Sequence, residues 1–461
     1  MRFRVLTGLA LAAALATAGR VAANSAVTQI SADPYDAPTP GQHHTEVEPD
    51  IASYGGTMVS AFQMGRNYGG GSTDVGWATS SGAGWQTGPL PGLTVNSTPP
   101  GSYLWASDPA VAYDAAHGTW IISSLGVGHQ KGLGVSVNRS PDGVTWGNAI
   151  PVVASGTHSF DKDWIACDSY PSSPYYGTCY IEYDDITLGD TPFMTTSTDG
   201  GQTWSAPQKP RNGGCCIGGQ PVVQPDGTVV VPIDTIHGMG AFRSTDGGAS
   251  WQSEVKITSV RAHDEAGHLR ASHLPSATVD AAGKVYLVWK DCNFEADCSA
   301  NDIVMSTSTD GVHWSAVTRI PIDPVGSGVD HFIPGIGADQ STGGNRSSTH
   351  LALTYYYYPV SNCDPSCQLD VGYVSSTDGG DSWSAPQQLA GPMSPTWLAS
   401  TSSGYMVGDY IATTIQNGLA YPAFAVAQAP SGDVLDEAMY SSQLGVTGAS
   451  AGATLLLRRA R

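Results

Sequence analysis

Short apolar runs separated by polar, glycine-bearing turns cover most of this chain. The runs Thr57 to Met64, Trp120 to Leu125, Cys179 to Tyr183, Thr228 to Ile233, Lys284 to Lys290, Leu351 to Tyr358 and Tyr421 to Ala427 are rich in β-branched and aromatic residues. Runs of that length and composition, bounded by turn residues, predict strands rather than helices. Each is preceded by a shorter segment: Glu46 to Ile51, Ser107 to Val111, Asp161 to Ile165, Gln220 to Val223, His273 to Ala277, His331 to Gly335 and Gly408 to Ile411. A third strand, a turn and a fourth strand follow in most repeats. The expectation is an all-β chain of repeated four-stranded units.

One turn recurs late in these repeats. Ser197-Thr198-Asp199-Gly200-Gly201-Gln202-Thr203-Trp204 returns as Ser244 to Trp251 and as Ser376 to Trp383. Ser140 to Trp146 and Ser308 to Trp314 are one residue shorter, and Ser80 to Trp85 lacks the Asp. In such a turn the carboxylate accepts from nearby backbone, glycine supplies positive φ, and the Trp anchors the turn in the core. Trp85, Trp146, Trp204, Trp251, Trp314 and Trp383 stand 61, 58, 47, 63 and 69 positions apart. A period of roughly 50 with short strands predicts a β-propeller, one blade per repeat. Seven strand starts favour seven blades; six result if the first and last segments share one. The Asp-bearing turns fall between strands three and four, so Asp142, Asp199, Asp246, Asp310 and Asp378 read as scaffold.

Residues 1–25 read as a signal peptide, with Arg2 and Arg4 ahead of an apolar stretch from Val5 to Ala18. A secreted, extracellular protein is expected. Residues 26–45 read as an N-terminal extension, 46–442 as a single propeller domain and 443–461 as a flexible C-terminal tail. The net charge of −20, from 20 Lys and Arg against 40 Asp and Glu, disfavours nucleic acid and anionic membranes as partners. The closed edges of a propeller suit a monomer. Eight cysteines in an exported chain suggest disulfides. Local spacing pairs Cys167 with Cys179, Cys292 with Cys298 and Cys363 with Cys367. The adjacent Cys215 and Cys216 suggest a vicinal bridge, with separate disulfides or a buried thiol as the alternatives.

In a propeller, the loop entering the first strand of each blade shares a face with the loop between strands two and three. Those loops bring Arg66, Asp108, His129, Asp161, Lys162, Asp163, Glu182, Gln220, Arg270, His273, Lys290, Tyr357 and Asp409 to one face. Asp161, Asp163 and Glu182 are candidate acid/base groups; His129, His273 and Tyr357 are candidates to move a proton or attack. Arg66, Lys162, Arg270, Lys290, Asp108, Gln220 and Asp409 are candidate substrate contacts, because cations among carboxylates orient an anionic ligand. No cofactor is implied and no metal ligand is assigned, though calcium among Asp184, Asp185 and Asp190 is conceivable.

The Ser-x-Asp-x-Gly-x-x-Trp turns resemble the Asp-boxes of the BNR-repeat, sialidase-like superfamily, over roughly Glu46 to Ser442. The resemblance implies a propeller and a carbohydrate-active protein. Sialidases hold the substrate carboxylate with three arginines and use a Tyr nucleophile activated by Glu, with an Asp acid/base. Here only Arg66 and Arg270 are well placed for a clamp, with Arg346 a distant third. Arg319-Ile320-Pro321 follows the fifth Trp turn, whereas the family's Arg-Ile-Pro motif stands in the first blade. The favoured reading is a secreted glycoside hydrolase cleaving at or next to an acidic sugar in an oligo- or polysaccharide. A uronate-polysaccharide lyase and a non-catalytic glycan-binding propeller are the alternatives.

Overall fold

The computed structural model describes residues 27–129, 131–344 and 348–449. The expected signal peptide and Arg346 lie outside them. The described chain is all-β, and its helix is confined to short 3₁₀ turns such as Ile186–Leu188.

The strands form successive antiparallel units. The first comprises Gln42–Tyr54, Thr57–Arg66, Ser72–Ser80 and Trp85–Pro89. The second comprises Trp105–Asp114, Thr119–Gly128, Lys131–Ser140 and Ile150–Ala154. The third has Phe160–Cys167, Cys179–Asp185 and Thr191–Ser197, with Gln208 bridged to Met194 in place of a full outer strand. The fourth has Val222–Val223, Val229–Thr235, Gly238–Ser244 and Val255–Lys256. The fifth has Ser276–Val279, Val285–Asp291, Asp302–Ser308 and Thr318–Arg319. The sixth has Asp330–Ala338, Leu351–Tyr358, Leu369–Ser376 and Gln387–Met393.

The seventh unit is assembled from both ends of the chain. Ala412–Gln416, Leu419–Ala427 and Glu437–Ser441 pair in order, and Thr28–Gln29 adds the outer strand. The opening strands of the units touch in sequence from the first to the seventh, and the seventh touches the first. At that seam Ser31 Oγ donates to Glu46 Oε2 at 2.8 Å and accepts from the Met439 N–H at 2.8 Å. Leu444–Gly445 pairs with Ala420 and Leu419, and the Thr447 N–H reaches Ser375 Oγ at 3.0 Å. The expected limits at 46 and 442 are therefore too narrow. Open strand edges in the last unit are filled by residues read as an extension and a tail.

The core lies between neighbouring units. Trp251 of the fourth unit packs edge-on to Tyr180 of the third, and its ring is 2% exposed. Burial of a side chain that size is worth about 2–3 kcal/mol. Its turn forms as the sequence implies. Asp246 Oδ1 accepts from the Ser250 N–H at 2.9 Å, Oδ2 accepts from Ser250 Oγ at 2.6 Å, and the Gly248 N–H donates to Ser244 Oγ at 2.9 Å. In the turn of the second unit, bonding led by the Thr145 N–H holds the Asp142 carboxyl down at about 2. These carboxylates are used up by their own turns.

Three disulfides join Cys167 to Cys179, Cys292 to Cys298 and Cys363 to Cys367, as the spacing suggests. The vicinal bridge does not form: Cys215 and Cys216 are free thiols. Cys216–Ile217 runs as a strand against Asp234–Thr235. Extended backbone sends successive side chains to opposite faces, so Cys215 turns to Asp190 and Cys216 to Glu254.

Candidate functional site

One face of the molecule carries a pocket of about 770 Å³. The first four units and the segments leading into the fifth and seventh supply its walls. Its charged lining comprises Glu48, Arg66, Asp108, Lys131, Asp161, Lys162, Asp234, Asp264, Glu265, Arg270, His273 and Asp409. Four of the chain's 20 Lys and Arg residues stand here among carboxylates.

A repeated backbone irregularity aims the central groups. The opening strands of the first, second, third and sixth units each break register, between Val47 and Asp50, Ser107 and Ala110, Asp161 and Asp163, and Phe332 and Gly335. In each break one residue adopts left-handed φ: Glu48 at 56°, Asp108 at 49°, Lys162 at 29° and Ile333 at 48°. Left-handed backbone costs a non-glycine residue about 1–3 kcal/mol, and bulges of this kind re-aim side chains beside sites. Three units use the bulge to present charge to the pocket; the sixth fills the position with Ile333, which is 1% exposed.

The carboxylates sit in graded environments. Burial, reinforced by the charges of Asp108 and Asp409, pushes Glu48 up to about 8, against the pull of Arg66 and Arg270. Burial and then Asp108 push Asp161 up to about 6, although its Oδ1 accepts the Lys162 N–H at 3.0 Å. Lys162 is itself 4% exposed, with its ammonium 3.6 Å from the Tyr410 ring centroid and 4.5 Å from that of Trp164. Two aromatic faces thus hold a cation at the pocket floor.

The arginines are anchored. Arg66 is buried, and its Nη1 donates to Gln63 Oε1 at 2.8 Å and the Gly71 carbonyl at 3.0 Å. Arg270 grips Asp409 with two nitrogens. Burial works against the Arg270 charge, but Asp409 holds its protonation above the ordinary range. His273 Nε2 lies 3.0 Å from Asp234 Oδ2, and that bond raises the imidazole pKa.

Seven expected residues therefore line this pocket: Arg66, Asp108, Asp161, Lys162, Arg270, His273 and Asp409. The others stand elsewhere. Asp163 and Glu182 are fully buried, and burial drives both carboxyls well above the usual range. Glu182 lies so close to Gly219 that a Cβ there would sit 2.6 Å from its carboxyl carbon. Both acids belong to the packing around the third unit. Lys290 is buried against Glu265 and the Ala271 carbonyl, behind the pocket wall. Gln220 accepts the Ala277 N–H at 2.7 Å and helps line a second cavity of about 290 Å³. His129 is exposed but does not line the pocket. Tyr357 is half-buried and stacked on His331; burial lifts it to about 12. The rest of its run, Tyr355, Tyr356 and Tyr358, is core. The sixth unit's loop between strands two and three thus contributes nothing to the pocket.

Four of the pocket acids, Glu48, Asp234, Asp264 and Glu265, had no assigned role in the sequence reading. Glu48 was detectable, since Glu48-Pro49-Asp50 repeats the spacing of Asp108-Pro109-Ala110. Asp264 and Glu265 lie on an irregular segment with no strand pattern to place them. Asp184, Asp185 and Asp190 turn to separate partners: Gly218, His158 and Cys215.

Residues 181–335 match the family model described as a BNR repeat-like domain. That stretch, about a third of the chain, includes three of the Asp-bearing turns, Ser197 to Trp204, Ser244 to Trp251 and Ser308 to Trp314. No curated protein matches the chain by sequence. Among solved structures, an ulvan lyase of the polysaccharide lyase family PL25, bound to -[GlcA(1-4)Rha3S]-, aligns with TM-score 0.51 at 12% identity, over 91% of this chain and 96% of that one. The Hadza microbial sialidase Hz136 aligns with TM-score 0.46 at 15% identity, over 84% of this chain and 76% of that one. An α-L-arabinofuranosidase from Fusarium graminearum aligns with TM-score 0.36 at 16% identity, over 58% of this chain and 90% of that one.

Proposed function

We propose that this chain is a secreted, seven-bladed β-propeller that hydrolyses a glycosidic bond at or next to an acidic sugar. The ring of contacts among opening strands supports the blade reading. One observation carries the chemistry: Asp161 is a half-buried carboxyl on the pocket wall, poised at about 6 by burial and by Asp108. Glycoside hydrolysis needs one carboxyl that holds its proton near neutral pH and a second that stays charged. Asp161 takes the acid/base role, and Asp108 is the second carboxyl of the pair. Glu48 keeps its proton at neutral pH and donates into the same space. Arg66, Lys162 and Arg270 orient the acidic group of the sugar.

A lyase reading has its own support. The His273–Asp234 pair opens on the same pocket, and an imidazole beside a cation-bound uronate can remove the adjacent proton. Product analysis separates the two. Purified protein is incubated with sialylated glycoproteins and with uronate-bearing polysaccharides. Free sugar without new ultraviolet absorbance, lost in D161N, supports hydrolysis. Rising unsaturated-uronate absorbance, lost in H273A, supports elimination. Binding without product in either pool would leave a glycan-binding propeller.

A further inference from the structure

We infer that Asp302, Asp323 and His331 form a divalent metal site of the zinc or manganese type, separate from the pocket. One ligand atom from each of the three lies within 4.8 Å of the other two. Asp302 opens the third strand of the fifth unit, and His331 lies in the first strand of the sixth. Asp323 lies on the connection between these units. Two carboxylate oxygens and one imidazole nitrogen suit a first-row transition ion that keeps a water; calcium takes oxygen ligands throughout.

Two further features point to an ion. Asp302 is 2% exposed, and its Oδ2 has no hydrogen-bond partner. A buried carboxylate oxygen without a donor is costly, and a cation removes that cost. The surrounding groups also do what outer partners of metal ligands do. Arg319 Nε lies 2.6 Å from Asp302 Oδ1, its Nη2 binds Asp323 Oδ1, and Ser327 Oγ donates to Asp323 Oδ2. His331 Nδ1 lies 3.4 Å from the Asn301 carbonyl. A proton on Nδ1 leaves the lone pair on Nε2, the arrangement a ligating histidine needs. Two carboxylates against one guanidinium leave one negative charge for the ion to offset.

The ion would act as a brace. Asn301 accepts the His331 N–H at 2.9 Å, and its side chain donates to Glu265 Oε1 at 3.2 Å. Glu265 is part of the pocket wall, so the metal would stiffen that wall from behind without touching substrate.

The test uses the full secreted chain, stripped with chelator and titrated with Zn²⁺ by calorimetry, with melting temperature read in parallel. The expected result is one tight Zn²⁺ equivalent and a higher melting temperature, with that equivalent absent from H331Q and D302N and not displaced by Ca²⁺. Equal Zn²⁺ uptake by wild type and both folded variants would overturn the site, because adventitious binding to an acidic surface gives that pattern. Displacement by Ca²⁺ would overturn the ion class. Should the variants fail to fold, Co²⁺-loaded wild type decides. Visible d–d bands of a low-coordinate nitrogen–oxygen site support the inference, and their absence overturns it. None of these readouts depends on the glycan chemistry.

Discussion

Arg270 and Asp409 hold each other across the pocket, with Arg270 Nε donating to Asp409 Oδ1 at 2.9 Å and Nη2 donating to Oδ2. They are 139 residues apart in sequence, one leading into the fifth unit and the other into the seventh. The pair fixes the distance between two walls of the site. Removing Asp409 leaves a mostly buried guanidinium unpaired, so D409A should cost about 3 kcal/mol in urea unfolding. Lysine cannot reproduce the two-nitrogen grip. R270K should therefore stay folded while kcat/KM falls about tenfold or more. An R270K variant with unchanged kinetics in the proposed reaction would show that the grip does not serve the site.

Under the proposed hydrolysis, Asp161 sets the pH dependence. Its carboxyl is raised to about 6, so the protonated form prevails below that pH and is lost above it. With Asp161 as the acid, kcat/KM should fall as pH rises through about 6. D161N should remove that limb and lower kcat by on the order of 10²–10⁴-fold. A pH profile from initial rates checks both statements.

The seam between the first and seventh units should weaken in alkali. Burial raises Glu46 to about 8 from 4.5 and drives Glu437 well above its usual range. A carboxyl with a higher pKa in the folded state binds its proton more tightly there. Its contribution is fully present below the unfolded value and declines as pH rises toward 8. Glu46→Gln keeps an acceptor for Ser31 but cannot ionise. Between pH 5 and 8 the wild type should lose about 3 kcal/mol more stability than E46Q. Urea unfolding at the two pH values measures the difference; parallel curves would refute the assignment.

The free thiols give a chemical check on the chain path around Cys215. Cys216 is buried and Cys215 half-buried, and burial raises both pKa values. Raised thiols react slowly. Native protein should label slowly at Cys215 and negligibly at Cys216, and denatured unreduced protein should label at both. Peptide mapping that found Cys215 joined to Cys216 would contradict the strand at Cys216–Ile217.

The features readable from sequence are those encoded locally. The Asp-bearing turns are complete within eight residues, so Ser244 to Trp251 announces its own hydrogen bonds. The three bridged cysteine pairs are close neighbours and equally visible. The site was only partly readable, because each pocket residue had to be assigned to a face from loop order alone. That rule succeeds for Asp108 and Asp161, whose bulges turn them inward. It fails for Glu182, which faces a neighbouring unit, and for Tyr357, whose ring is taken by His331. Side-chain direction at an irregular strand depends on backbone that composition does not encode. Glu265 shows the same limit on a segment without periodicity.

The strand Thr28–Gln29 leaves the ribosome before every other described element. Among the described residues its ladder partner is Tyr440–Ser441, and Gln29 and Tyr440 are 411 positions apart. Among the described strands, the first must wait for nearly the last. A chain stalled or cut anywhere between them keeps an unmatched edge, however well its middle has packed. That unmatched edge is what a protease or chaperone surveying exposed strands reads.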